Sequence, residues 1–240
     1  PVDEGVFEGD LWLNKISSQA QQNLELFQAS GSISPVSIAR DYILPVVASM
    51  VERDAGETLR VLDFGGGLAT SYYSLVTAFS EPDNLEFHIV EVEAVCARGK
   101  KIFSDQPNIH FHSKLPKLKD TVHIIHSGSA LQYVKEWQGL IASFAEYKPK
   151  YLIHLAGLSR PMKIHDKYIE KSIDLNIIGT ANITKVCSKF GIKLIYFSST
   201  YVYPGFKGNY KEDEPLLPIN NYAWSKLGGE CAVQLYKNSL

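Results

Sequence analysis

Lys148-Pro-Lys-Tyr-Leu-Ile-His-Leu-Ala-Gly157 is the stretch on which the reading of this chain turns. Residues 151–155 form a short apolar run ending in Ala-Gly, which reads as a buried strand closed by a tight turn. Two patterns meet on it. Before it, strands and helices alternate around an acid-and-glycine turn. After it, Tyr222 and Lys226 open a helix at i, i+4 spacing.

Working upstream, VHIIHS (122–127), NIHFH (108–112), LEFHIV (85–90) and LRVLDF (59–64) read as strands. Between them, 69–79, 93–103 and 135–147 carry helical spacing of apolar residues. Residues 17–29 and 37–53 read as further helices, with Pro45 expected to break or kink the second. Residues 1–15, polar and acidic around Trp12, read as a loop or cap. Downstream come a long helix over 167–190, the strand KLIYFSS (193–199), a Gly/Pro-rich loop and a last helix from 221. Strands alternating with helices imply an α/β fold: a doubly wound, mostly parallel, Rossmann-like sheet with helices on both faces. Ligands of such sheets lie at the carboxyl ends of the strands.

The composition narrows the function. At 240 residues the chain can bury a full core, and 45% hydrophobic with 21% charged is ordinary for a globular protein. A net charge of -2 carries no electrostatic footprint for nucleic acid or an anionic membrane. Cys96, Cys187 and Cys231 are odd in number and far apart, which argues against a disulfide framework and for a reducing compartment. The longest apolar run, 42–51, is too short to span a bilayer, and the acidic N-terminus lacks the pattern of a signal peptide. A cytoplasmic location is the expectation.

Val61-Leu-Asp-Phe-Gly-Gly-Gly-Leu-Ala69 ends a strand in Asp63 and turns through Gly65, Gly66 and Gly67. A dinucleotide turn needs GxGxxG, and here Thr70 stands at the third glycine position. An acid before the glycines repels a pyrophosphate but suits the cationic amino and sulfonium groups of S-adenosylmethionine. Glu91, ending the next strand, can accept from ribose hydroxyls. Ser129, after the fourth strand, lines the far side of the same crevice, and His126 is a candidate base. His110, His112 and His123 lack the partner spacing of a metal site, so no metal is expected. The stretches GVFEGDLWLNK, VLDFGGGLATSYY, FHIVE and SGSALQYV resemble class I S-adenosylmethionine-dependent methyltransferases, in particular a family found among bacterial surface-polysaccharide genes. The resemblance covers about 5–155 and implies S-adenosylmethionine held by Asp63, Gly65, Gly66, Gly67, Glu91 and Ser129. Ala69 stands where that family has glycine, and the family's closing antiparallel strands have no counterpart.

Beyond the seam, a Lys226 ammonium near Tyr222 favours the tyrosinate, which suits a phenol to acid–base work. HLAG157, NIIGT (176–180), Ser198-Ser199, YVYPG205 and Tyr222/Lys226 resemble the extended short-chain dehydrogenase/reductase family of nucleotide-sugar epimerases, dehydratases and dTDP-4-dehydrorhamnose reductases. Over about 149–240 that resemblance implies a catalytic set of Ser199, Tyr222 and Lys226, supported by Asn176, with NAD(P) as cofactor and a nucleotide sugar as substrate. The family's glycine-rich first turn is missing. The resulting expectation is a fusion: a methyltransferase-like part over 1–155 and a dehydrogenase-like segment over 149–240, sharing strand 151–155 in one sheet. The leading function is methyl transfer to a small molecule. The alternatives are an NAD(P)-dependent nucleotide-sugar oxidoreductase or epimerase, and a non-catalytic fusion or engineered recombinant. KLIYFSS is expected to be an apolar edge that invites a homodimer.

Overall fold

The computed structural model describes residues 9–35, 42–54, 56–78, 84–128, 130–155, 157–159 and 162–240. The seam residues form β5 (Tyr151–His154), and both neighbours of that strand are now identifiable. On one side lies β4 (Ile124–Ser127), in parallel register from Ile124↔Tyr151 to Ser127↔His154. On the other lies β6 (Lys193–Tyr196), from Tyr151↔Lys193 to His154↔Tyr196. With β1 (Leu59–Phe64), β2 (Leu85–Val90) and β3 (Ile109–His112) they make one parallel sheet in the order β3-β2-β1-β4-β5-β6. The chain reverses its direction of travel across the sheet between β1 and β4. That reversal is the switch point at which such sheets open a crevice.

Both faces of β5 are buried, which is why it reads as an unbroken apolar run and not as an alternation. Tyr151 and Ile153 join a core with Val61, Phe87, Ile89 and Ile195. Helices α1 (Asp10–Ser30), α2 (Ile43–Ser49), α3 (Thr70–Ala78) and α4 (Glu93–Ile102) close that core with Leu13, Leu44, Tyr73 and Val95. Leu152 joins the opposite core with Leu62, Ile125 and Leu194, covered by Phe144 of α5 (Trp137–Glu146). Ile183 of α8 (Gly179–Phe190) and Val233 of α9 (Asn221–Gln234) complete it. Each fully buried aliphatic side chain contributes about 1.5–3 kcal/mol, so a strand packed on both faces anchors two layers at once.

Three expectations are corrected and one is refined. The loop expected over 1–15 is helical from Asp10 onward. Of the helix expected over 37–53 only α2 is described; it ends at Ser49 and starts two residues before Pro45, which lies in its first turn, where a missing N–H costs no intrahelical bond; residues 36–41 lie outside the description. The helix expected over about 167–190 is present: the chain is helical throughout 169–190, as α7 (Ile169–Ser172), a π-helical segment (Ile173–Ile178) and α8, with a separate short helix α6 (Lys163–Lys167) ahead of it. Asn176, in the π-helical segment, is bonded to the Leu158 backbone and to Ser225 of α9. Finally, β6 is not a bare edge. Leu194 N donates to Asn238 O at 3.1 Å, Tyr196 N to Leu240 O at 2.9 Å, and Leu240 N to Leu194 O at 2.8 Å. The last residues thus occupy the pairing positions that were expected to recruit a second chain. Among the described residues no helix is long and apolar enough to cross a membrane.

Deleting residues 238–240 strips these bonds from a fully buried strand position. Stability should fall by about 1–3 kcal/mol, read from the urea midpoint. A concentration-dependent dimer should then appear in light scattering. An unchanged midpoint and an unchanged mass would show that the edge needs no cover.

Candidate active site

Two groups of chemistry-bearing residues stand at the carboxyl ends of the strands. The first surrounds the turn after β1. Gly65 adopts φ +74 and donates its N–H to Val90 O at 2.9 Å. A side chain there would run into Ala130, so the turn after β4 lies directly on it and the position demands glycine. Glu91 supports the turn from β2: Oε1 accepts from Gly67 N at 3.1 Å and Oε2 from Val92 N at 3.0 Å. Burial raises its pKa above the usual carboxylate range in spite of those two bonds. Asp63 Oδ1 accepts from His126 Nδ1 at 2.8 Å across the switch point, where the two residues are register partners. Its Oδ2 is buried with no partner among the described residues and lies against Gly66. Ala69 sits buried at φ 61, a left-handed conformation that costs a non-glycine residue about 1–2 kcal/mol. Ser129 lies outside the described residues; its neighbour Ala130 is the one that meets Gly65.

The second group stands at the end of β6. Asn220 caps α9, its Oδ1 accepting from Ala223 N at 2.9 Å, which fixes where Tyr222 and Lys226 emerge. Lys226 is buried, and burial lowers its pKa to about 8 against the opposing pull of Glu230. Its Nζ donates to Phe197 O at 2.7 Å and lies 4.2 Å from the centre of the Tyr196 ring. One of its three donors is thus placed at the strand end. Tyr222 is half-buried, with its ring 5.1 Å from that of His165 and 5.8 Å from that of Tyr201. Ser199 Oγ accepts from Tyr201 N at 3.2 Å, capping a short 3-10 turn. Among the described residues no hydrogen bond joins Ser199, Tyr222 and Lys226 to one another. Asn176 bridges the loop after β5 to α9, giving 2.8 Å to Ser225 Oγ and 2.7 and 2.9 Å to the Leu158 backbone.

The two groups do not meet. From β1 to β6 is three strand steps, about 14 Å at roughly 4.8 Å per step. The three histidines that the sequence sets side by side also separate. His110 and His112 gather around buried His88, whose Nδ1 is 3.1 Å from His112 Nε2, while His123 turns to the Arg60 N–H and to Glu57. No set of three metal-ligating side chains forms among the described residues. Sequence reasoning missed Phe197 O, Tyr196 and Thr180. Only the alternation of KLIYFSS pointed to Tyr196, which shares the Leu194 face of β6.

Residues 119–240 match the family described as the RmlD substrate binding domain, just over half of the chain. The chain belongs to that family. The match begins ahead of β4, not at 149, and includes neither the glycine turn nor Glu91. Among curated proteins, methionine adenosyltransferase 2 subunit beta of Xenopus laevis is 39% identical over 92 residues, 38% of this chain and 27% of that protein. UDP-glucose 4-epimerase of Mycolicibacterium smegmatis is 26% identical over 129 residues, 50% of this chain and 40% of that protein. Among solved structures, dTDP-4-dehydrorhamnose reductase of Bacillus anthracis in complex with NADP is similar at TM-score 0.47 and 20% identity. It is covered to 51% by 76% of this chain. The Bordetella bronchiseptica enzyme WbmG in complex with NAD is similar at TM-score 0.46 and 19% identity, with the same coverage. The chain thus spans about a quarter of its first curated relatives and about half of these structures.

The depressed pKa of Lys226 has a pH signature with a definite sign. Below about 8 the lysine is charged in both the folded and the unfolded chain, and its burial penalty is complete. Between about 8 and the ordinary 10.5 the unfolded chain binds more protons, so stability rises with pH across that window. Urea midpoints of the wild type, measured against Lys226→Met from pH 7 to 10.5, should climb relative to the variant above pH 8. Parallel curves would show an exposed, ordinary lysine.

Proposed function

We propose that the chain carries the acid–base portion of a nucleotide-sugar oxidoreductase or epimerase of the short-chain dehydrogenase/reductase type. What supports this is that Ser199, Tyr222 and Lys226 all lie inside the stretch matched by the RmlD family, with Lys226 Nζ held at the strand end by Phe197 O. In this reading the Ser199 hydroxyl orients a sugar oxygen. The Tyr222 phenol gives its proton to that oxygen, or takes one from it. Lys226, a cation close to half deprotonated near pH 8, supplies positive charge to the strand end and to the tyrosine above it. A nucleotide sugar is the substrate class, by analogy with relatives named as UDP-glucose 4-epimerase and dTDP-4-dehydrorhamnose reductase.

NAD(P), the redox group of the dehydrogenase reading, does not fit the turn after β1. The Gly67 N–H that would face a pyrophosphate is given to Glu91, and the buried Asp63 carboxylate lies against Gly66. Both acids repel an anion at that turn. The part assigned to this chain is therefore to hold the sugar and exchange the proton on its oxygen, and the hydride that balances any redox step would have to come from a nicotinamide held elsewhere. The same acids favour a second reading for that turn. Asp63 Oδ2, a buried acceptor without a partner among the described residues, suits the cationic part of S-adenosylmethionine, with Glu91 toward its ribose. Residues 1–155 would then be the methyltransferase-like part and 149–240 the dehydrogenase-like segment, sharing β5.

Calorimetry should record binding of a nucleotide sugar such as UDP-glucose, weakened about tenfold in Tyr222→Phe and in Ser199→Ala. Binding of equal strength in the three proteins, or none at millimolar ligand, would end the reading. For the turn after β1, calorimetry should detect S-adenosylmethionine binding that weakens about tenfold in Glu91→Ala. Absence of heat at millimolar ligand would remove the methyl-donor reading.

A further inference from the structure

Lys226 reaches the end of β6 from α9, and one side chain meets it twice. The centre of the Tyr196 ring lies 4.2 Å from Lys226 Nζ, and the Tyr196 hydroxyl donates to Lys226 O at 3.3 Å. Tyr196 is the last residue of β6 and is buried, sharing a core with Leu194, Ile183 of α8 and Val233 of α9.

The ring is braced on both sides. Thr180 of α8 bonds the Tyr196 oxygen, and Thr180 Oγ1 is also 3.1 Å from His154 Nε2. The His154 ring itself lies 5.6 Å from that of Tyr196. On the α9 side, a Cβ at position 229 would stand 2.8 Å from Tyr196 Oη and 2.6 Å from Asn176 O. Gly229 is therefore what lets the hydroxyl reach the helix backbone.

Tyr196 is not itself a proton carrier. Burial pushes its phenol well above the ordinary range, so the hydroxyl keeps its proton. What the ring offers is a negative face to a cation taken out of water. The other groups around Lys226 do not duplicate this. Glu230, one turn further along α9, attracts the ammonium, but its carboxylate accepts from Ser198 Oγ at 2.7 Å. His154 stays neutral, pushed down to about 3 by burial and by the Lys226 charge. Phe197 O takes one of the three ammonium protons.

We propose that Tyr196 is the positioning residue of Lys226, its ring face keeping the ammonium at the end of β6 while its hydroxyl ties the ring to the α9 backbone. The proposal rests on the acid–base reading only for the use made of that charge.

Lys226 can be observed directly. The lysine ε-carbon NMR signal that vanishes in Lys226→Met is its own, and in the wild type its titration should have a midpoint near about 8. Tyr196→Phe keeps the ring and should leave that midpoint within about 0.3 unit. Trifluorophenylalanine at the same position keeps the shape while fluorine draws electron density out of the ring. The midpoint should then fall by about one unit relative to Tyr196→Phe, because the charged form loses its partner. Equal midpoints in the two proteins would show a ring that only fills space, and would overturn the proposal. So would a midpoint that falls as far in Tyr196→Phe as in the fluorinated protein. The expected shift in a protein that binds no UDP-glucose at millimolar ligand would uphold the role of Tyr196 and remove the acid–base reading instead.

Discussion

The structure depends on one strand being paired on both edges and buried on both faces. β5 lends its backbone to β4 and β6 and its side chains to two separate cores, so neither half of the chain can form its layer without it. A single continuous sheet results, with no hinge at the point where the two sequence patterns meet. Both patterns demand a short parallel strand buried on both faces at this position, and one set of side chains satisfies both demands.

That continuity also fixes what the two groups of residues can do together. Strand spacing holds the glycine turn and the Tyr222/Lys226 helix about 14 Å apart, and reacting atoms must come within roughly 3.5 Å. Each group has settled its own electrostatics locally. Around the turn, Glu91 binds two backbone N–H groups and Asp63 pairs with His126, an acidic surround that suits a cation. At β6, burial depresses Lys226, and the ammonium is balanced by the Phe197 carbonyl and the Tyr196 ring. A chain of hydrogen bonds from Lys226 O through Tyr196 and Thr180 to His154 then connects α9 to the end of β5.

Much was legible in the residues themselves. Short, mostly apolar stretches at 59–64, 85–90, 122–127 and 151–155, alternating with helical patterns, announced a parallel sheet covered on both faces. Tyr222 and Lys226 at i, i+4, and the acid before three glycines, were equally plain, because helix periodicity and backbone φ are local properties. The pattern also announced the helix over 167–190, but not its π-helical segment at Ile173–Ile178 or the bonds between Asn176 and the Leu158 backbone, which depend on distant partners.

What the sequence alone determined is therefore the kind and order of the elements and the chemistry that each presents. Only the tertiary structure decided which groups face one another. The Lys226 ammonium donates to the Phe197 carbonyl just past β6, a contact that its i, i+4 spacing from Tyr222 does not announce. His88 packs with His110 and His112, while His123 bonds to the Arg60 N–H and Glu57. Residues 238–240 close an edge that KLIYFSS by itself leaves open. Each of these partners is distant along the chain, and long-range pairing is set by strand order and layer packing, for which spacing along the chain carries no local signal.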